Sequence, residues 1–149
     1  MSDAYLIAGV RTPIGAFRGA LQVFSAPELG AVVIQAVLER AGINGPAVDE
    51  VIMGNVVSGG LGQAPARQAA LRAGLPATIP AVTVNKVCGS GLKAVMLASQ
   101  AVRCDDAKII VAGGMESMTN APHFVNEIRR GKKLGDVTIR DAMLIDGLT

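Results

Sequence analysis

Residues 84–95 read Val-Asn-Lys-Val-Cys-Gly-Ser-Gly-Leu-Lys-Ala-Val. In this stretch an apolar strand, read over residues 81–87, gives way to a helix. Gly89 and Gly91 permit a sharp turn and close backbone packing. Leu92, Val95, Met96 and Val102 then recur at helical spacing. Cys88 stands at the junction, beside the unpaired N–H groups and positive dipole end of a helix. Such a setting favours the thiolate, the reactive form of the side chain. Cys88 is therefore a candidate for covalent catalysis, and the plain alternative is a buried structural cysteine.

Outward from this junction, strands and helices alternate. Residues 5–10 (Tyr-Leu-Ile-Ala-Gly-Val) read as a first buried strand, and a loop punctuated by Pro13, Gly15 and Gly19 follows. Ser25-Ala-Pro-Glu28 is a capping-box signature with Pro in the first turn. The helix it opens carries Leu29, Val32, Val33, Ala36 and Val37 on one face, and Gly42 stops it. Residues 51–57 read as a second strand. A Gly-rich loop, Ser58-Gly-Gly-Leu-Gly62, leads to a short Ala-rich helix over 65–73, closed by Gly74. After the Cys88 helix, residues 108–113 (Lys-Ile-Ile-Val-Ala-Gly) read as a fourth strand. Four continuously apolar strands separated by three helices predict an α/β fold, a mostly parallel sheet covered on both faces. The Cys88 helix has few charges before Arg103 and reads as buried all round, like the middle layer of a larger structure. From about Ser117 the pattern breaks. Residues 124–140 hold Arg129, Arg130, Lys132, Lys133 and Arg140 around Gly131 and Gly135, and read as two short extended segments around a basic turn.

Composition bounds the function. The chain has 149 residues, half of them apolar, with 3% aromatic residues and 18 glycines, so its core is expected to pack through Ala, Val and Gly. A net charge of +2 without base-stacking aromatics argues against nucleic acid. The apolar runs are of strand length, so no membrane span is expected. The chain enters a strand-like run at Tyr5 with no basic region before it, so no signal peptide is expected. Two cysteines and one histidine support neither a disulfide framework nor a metal cluster. Free thiols suit a reducing compartment, and the cytoplasm is the expected location.

Cys104 lies beside Asp105 and Asp106, whose charges oppose a thiolate, and reads as structural. Gly89-Ser-Gly-Leu-Lys-Ala94 fits G-x-G-x-x-A between strand and helix, so a dinucleotide-binding enzyme is an alternative, with Glu116 as the ribose-binding acid. That fingerprint normally opens the first βαβ unit, and here it falls at the third strand–helix junction. No Gly-Lys-Ser/Thr occurs, so there is no Walker loop. Ser90 lacks the Gly two residues before it that a nucleophile elbow has, and reads as a helix cap. His123 is a residue type suited to general base work, but after Asn120-Ala-Pro122 it reads as a loop or interface residue. The basic turn reads as solvated or interfacial.

Taken together, these residues resemble the thiolase family. Val84-Asn-Lys-Val-Cys88-Gly-Ser-Gly91 resembles its N-terminal active-site segment, and Val111-Ala-Gly-Gly-Met-Glu-Ser-Met118 resembles its GGMESM segment. Arg11-Thr-Pro-Ile-Gly15, Gly54-Asn55-Val56 and Gly62-Gln-Ala-Pro-Ala-Arg-Gln68 match further family segments in order, and Asp146-Gly147-Leu148 matches the opening of the family's substrate loop domain. The resemblance implies a layered αβαβα fold, of which this chain is the N-terminal βαβαβαβ half. Residues 1–117 are then the half-domain, and residues 118–149 start the loop domain with an oligomerisation arm. It also implies an acyl-accepting Cys88, oxyanion and positioning roles for Cys88 and Gly89, and a substrate-binding Leu148. No metal or bound cofactor is implied, because the CoA thioester, acetyl-CoA or acetoacetyl-CoA, is itself the substrate. A homo-oligomer, a dimer of dimers, is implied. Full members are more than twice as long. Their C-terminal half supplies an activating histidine and a second cysteine, and His123 matches neither. An inactive fragment, acting only as a binding or assembly module, is the alternative.

Overall fold

The computed structural model describes residues 3–149. Met1 and Ser2, where the reading of a leaderless start begins, lie outside the described residues. Ser25 opens α1 (Ala26–Ala41) as the sequence predicts: the Glu28 carboxylate accepts bonds from both the Ser25 N–H and its hydroxyl, each at 2.7 Å. These bonds hold the Glu28 carboxyl below its usual range. Gly42 ends the helix in the left-handed region at φ 65°. The Ala-rich helix α2 (Pro65–Arg72) is closed by Gly74, also at positive φ. Its first turn is held by the Thr83 hydroxyl, which accepts from the Ala66 N–H at 2.9 Å.

The parallel sheet has three strands, β1 (Glu50–Gly54), β2 (Ala81–Val84) and β3 (Ile110–Gly114), in the order β2-β1-β3. Each is shorter than or offset from its predicted span. An apolar run continues where no partner continues, and only paired residues form strand. Alternate β1 side chains face opposite layers. Val51 and Met53 join a core with Ala26 and Ile34 of α1 and Ala66, Ala69 and Ala70 of α2. Ile52 packs on Ala94 and Ala98 of α3 (Ser90–Arg103). The sheet is thus covered on both faces, as expected.

Two expectations are corrected. Residues 5–10 join no ladder, and Tyr5, Leu6 and Ile7 are exposed. β1 is already paired on both sides, and residues 8–12 stand across a cavity of about 290 Å³ from residues 111–114 of β3. The Cys88 helix, α3, is not buried all round. Ser90, Ala94 and Ala98 face the sheet, while Leu92 (68% exposed) and Met96 (46%) lie open because no described element packs on that side.

Beyond β3 the chain makes a small antiparallel pair, β4 (His123–Phe124) with β5 (Arg140–Asp141). The basic turn lies between them, with Gly131 and Gly135 at positive φ. Asp49 fixes the start of β3: its carboxylate accepts from the Lys108 and Ile109 N–H groups at 2.7 and 2.9 Å. The Ile109 and then the Lys108 backbone bonds hold its carboxyl below the usual range. A depressed folded-state value gives stability that is present above the unfolded value and lost as pH falls through the folded one. Asp49→Asn is therefore expected to lower the melting temperature at pH 7 and to flatten its decline in acid, below about pH 4, as read by circular-dichroism melts across pH.

Candidate functional site

β2 ends at Val84 and α3 begins at Ser90, so Cys88 sits in the turn between them. It is exposed, with a free thiol. The turn is tightly bonded. The Val87 N–H donates to Asn85 Oδ1 at 2.9 Å, the Gly89 N–H to the Lys86 carbonyl at 3.1 Å, and the Ser90 N–H to the Val87 carbonyl at 3.0 Å. The Ser90 hydroxyl accepts from the Lys86 N–H at 2.8 Å and donates to the Val87 carbonyl at 2.6 Å. Ser90 is therefore not a helix cap: its hydroxyl points back into the turn. Gly89 occupies the position before the first turn of α3, and its N–H is committed to Lys86.

Glycines set where this turn stands. A Cβ on Gly54 would lie 2.5 Å from the Ser90 carbonyl carbon and 2.6 Å from the Gly91 nitrogen; one on Gly114 would lie 3.2 Å from Gly91 Cα. The first turn of α3 thus rests directly on the C-terminal ends of β1 and β3, and at Gly54 any added side chain would collide with its backbone.

Cys88 lines a cavity of about 610 Å³ together with Asn55, Ser90, Gly91, Glu116 and Leu148. The structure thereby brings Leu148, sixty residues further along the chain, to the same cavity as the thiol. His123 does not line it. His123 is exposed in β4, with Nε2 3.8 Å from Asp141 Oδ2. Cys104, just after α3, is exposed too.

Glu116 has a different task from the one the dinucleotide reading gives it. Its Oε1 accepts from Asn55 Nδ2 at 2.9 Å, and its Oε2 accepts from the Val56 and Val57 N–H groups at 2.8 and 3.2 Å. A carboxylate holding three protein donors is committed to the fold and is not left for a ribose. Asn55, 2% exposed, also donates to the Met115 carbonyl at 3.2 Å. Sequence reasoning missed this pair as a unit. The signal was that Gly54-Asn55-Val56 and Glu116 fall in two separate motif segments, which here prove to be one hydrogen-bonded cluster beside Cys88. Among the described residues no group of three potential metal ligands occurs, and no helix is long and apolar enough to cross a membrane.

Comparison with known proteins accords with this geometry. Residues 4–149 match the family model described as the thiolase N-terminal domain. The chain is 56% identical to an acetyl-CoA acetyltransferase of Cupriavidus necator over 148 residues, covering 99% of this chain and 38% of the relative. It is 51% identical, with the same coverage, to a probable acetyl-CoA acetyltransferase of Escherichia coli, and 52% identical to an acetyl-CoA acetyltransferase of Pseudomonas aeruginosa. It therefore spans somewhat over a third of the length of these relatives. A cysteine turn seated on glycines and the Asn55–Glu116 cluster lie within the matched segment, and the match over residues 4–149 together with 56% identity to a relative makes the assignment: this chain belongs to the thiolase family, as its N-terminal domain.

Proposed function

We propose that the intact protein is an acyltransferase that condenses two acetyl-CoA molecules into acetoacetyl-CoA and CoA, reversibly, through an acyl-cysteine at Cys88. The observation that carries this is an exposed cysteine, held in a tightly bonded turn, on the wall of a 610 Å³ cavity. The relatives' printed activity, acetyl-CoA acetyltransferase, supports the substrate. In the first step a base takes the Cys88 thiol proton and the thiolate attacks the acetyl carbonyl; the bond from carbon to the CoA sulfur breaks, and the leaving CoA sulfur takes that proton back from the base. One thioester replaces another, so little free energy is lost. In the second step a base removes a methyl proton from another acetyl-CoA. The carbanion attacks the acyl-cysteine, and Sγ leaves. Splitting the reaction in this way is covalent catalysis with ping-pong kinetics. The Cys88 N–H, at the approach to α3, is suited to the thioester oxyanion. Gly89, whose N–H is already bonded, contributes by positioning. Leu148 contributes to the wall that meets the substrate. No metal or bound cofactor enters this scheme, and the cytoplasm is the proposed location.

A second reading applies to residues 1–149 taken alone: an inactive fragment that serves as a binding or assembly module. What favours it is the cavity lining. Glu116 is occupied by three donors, and the single histidine stands elsewhere. We place the base, and the cover for Leu92 and Met96, in a C-terminal half of the intact enzyme. Residues 118–149 then begin a loop domain after the half-domain of residues 1–117. The β4–β5 excursion is proposed as an oligomerisation arm that joins two dimers. Its apolar Ile128, Leu134 and Ile139 are exposed and its basic tip is suited to CoA phosphates.

Three outcomes are expected. In the intact protein, iodoacetamide should label Cys88 ahead of Cys104, and Cys88→Ala should lower kcat by at least about 10³-fold. Peptide mapping that finds Cys104 preferentially labelled, or full activity in the variant, refutes the assignment. Residues 1–149 expressed alone should fail to cleave acetoacetyl-CoA and should self-associate in light scattering, because Leu6, Ile7, Leu92 and Met96 are exposed apolar surface. A monomeric, active fragment would show the base to lie within this chain. Deleting residues 132–136 should convert a tetramer to a dimer by mass in solution with Cys88 still reactive, and an unchanged tetramer refutes the arm.

A further inference from the structure

Val87, immediately before Cys88, has φ 47°. A β-branched residue in the left-handed region is a steric outlier, because its Cβ crowds the backbone. Such a conformation persists only where its surroundings over-determine it. Both backbone polar groups of Val87 are held. Its N–H is taken by Asn85 Oδ1 at 2.9 Å, and its carbonyl accepts from the Ser90 N–H and from the Ser90 hydroxyl. Each holder is itself anchored. Asn85 Nδ2 donates to the Val56 carbonyl at 3.3 Å, which ties it to the loop after β1. Ser90 is 4% exposed, its hydroxyl accepts from the Lys86 N–H, and Gly54 backs it so closely that an added Cβ would stand 2.7 Å from Ser90 Cβ. The hydroxyl's donor and one acceptor lone pair are both in use across the turn.

We propose that Ser90 and Asn85 are positioning residues for the Cys88 thiol: together they clamp Val87 in its left-handed conformation, and that conformation aims Cys88 at the cavity. The inference rests on the reading of Cys88 as the nucleophile. Releasing either clamp lets Val87 relax to negative φ. The peptide planes on both sides of it then rotate and carry Cys88 away from its place. Displacements of this kind lower the rate of the chemical step more than they weaken binding of a substrate whose bulk is held elsewhere. Glycine adopts positive φ without steric cost, so a turn with glycine at residue 87 no longer needs the clamp. The signature of the proposal is therefore a dependence on residue 87.

The test is a double-mutant cycle in the full-length protein. It reads the rate of Cys88 alkylation by iodoacetamide, kcat and KM for acetoacetyl-CoA thiolysis, and the melting temperature. Ser90→Ala is expected to lower kcat about 10- to 100-fold and to slow alkylation of Cys88, with KM changed by less than about twofold. Asn85→Ala, an exposed side chain, is expected to act in the same direction, and it carries the test should Ser90→Ala fail to fold. In a Val87→Gly background each loss is expected to shrink to under about threefold. No loss in the Val87 background, or equal losses in both backgrounds, overturns the proposal. Cys88→Ala separates the two claims: activity that survives it removes the reading of the nucleophile, whereas abolished activity with an unchanged cycle removes only the clamp.

Discussion

The arrangement depends on a contact between backbones. Gly54 at the end of β1, Gly114 at the end of β3 and Gly91 in the first turn of α3 meet with no side chain between them. This lets the start of a helix rest on the ends of two parallel strands. The close approach seats the turn that carries Cys88 above the sheet's C-terminal edge, where the loops after β1 and β3 converge to form the cavity wall. A methyl group at Gly54 would meet backbone, which has no room to yield, so the cost of the contact falls on sequence choice: only glycine serves there. Alanines on α3 continue the same logic, since Ala94 and Ala98 bring the helix down onto Ile52.

Beside that contact lies a polar cluster with a structural role. Glu116 places one carboxylate against three donors from the loop after β1, and Asn55 bridges it to the Met115 carbonyl. A charged acceptor with several N–H partners makes strong hydrogen bonds. It fixes two loops that would otherwise leave buried backbone groups unsatisfied. Where the glycines set distance, this cluster sets orientation, and both act on the same cavity.

Elements whose limits are local were legible in the sequence. The Ser25–Glu28 box and Gly42 bound α1, and Pro65 and Gly74 bound α2, because caps are made by residues three or four apart. Strand limits were misread because a strand ends where its partner ends. Residues 5–10 have the composition of a strand and no ladder, while β1 is already paired on both edges. The exposure of Leu92 and Met96 was equally out of reach, since their apolar character states what the face prefers and not what covers it. Within the site, the place of Cys88 between a strand and a helix was visible in the spacing. The partnership of Asn55 with Glu116, 61 residues apart, was not.

By itself the sequence determined the alternation of elements, the glycine-flanked cysteine at a strand-to-helix junction, and membership of the family through motifs in fixed order. These are consequences of short-range spacing, which the chain carries whatever its partners do. Only the tertiary structure decided the strand order β2-β1-β3, the placing of Leu148 on the cavity of Cys88, the use of Glu116 as a structural acceptor and the left-handed Val87. Each of these arises from contacts between residues far apart in the chain, or from a local strain that such contacts hold in place. Neither leaves a mark in the spacing of residue types.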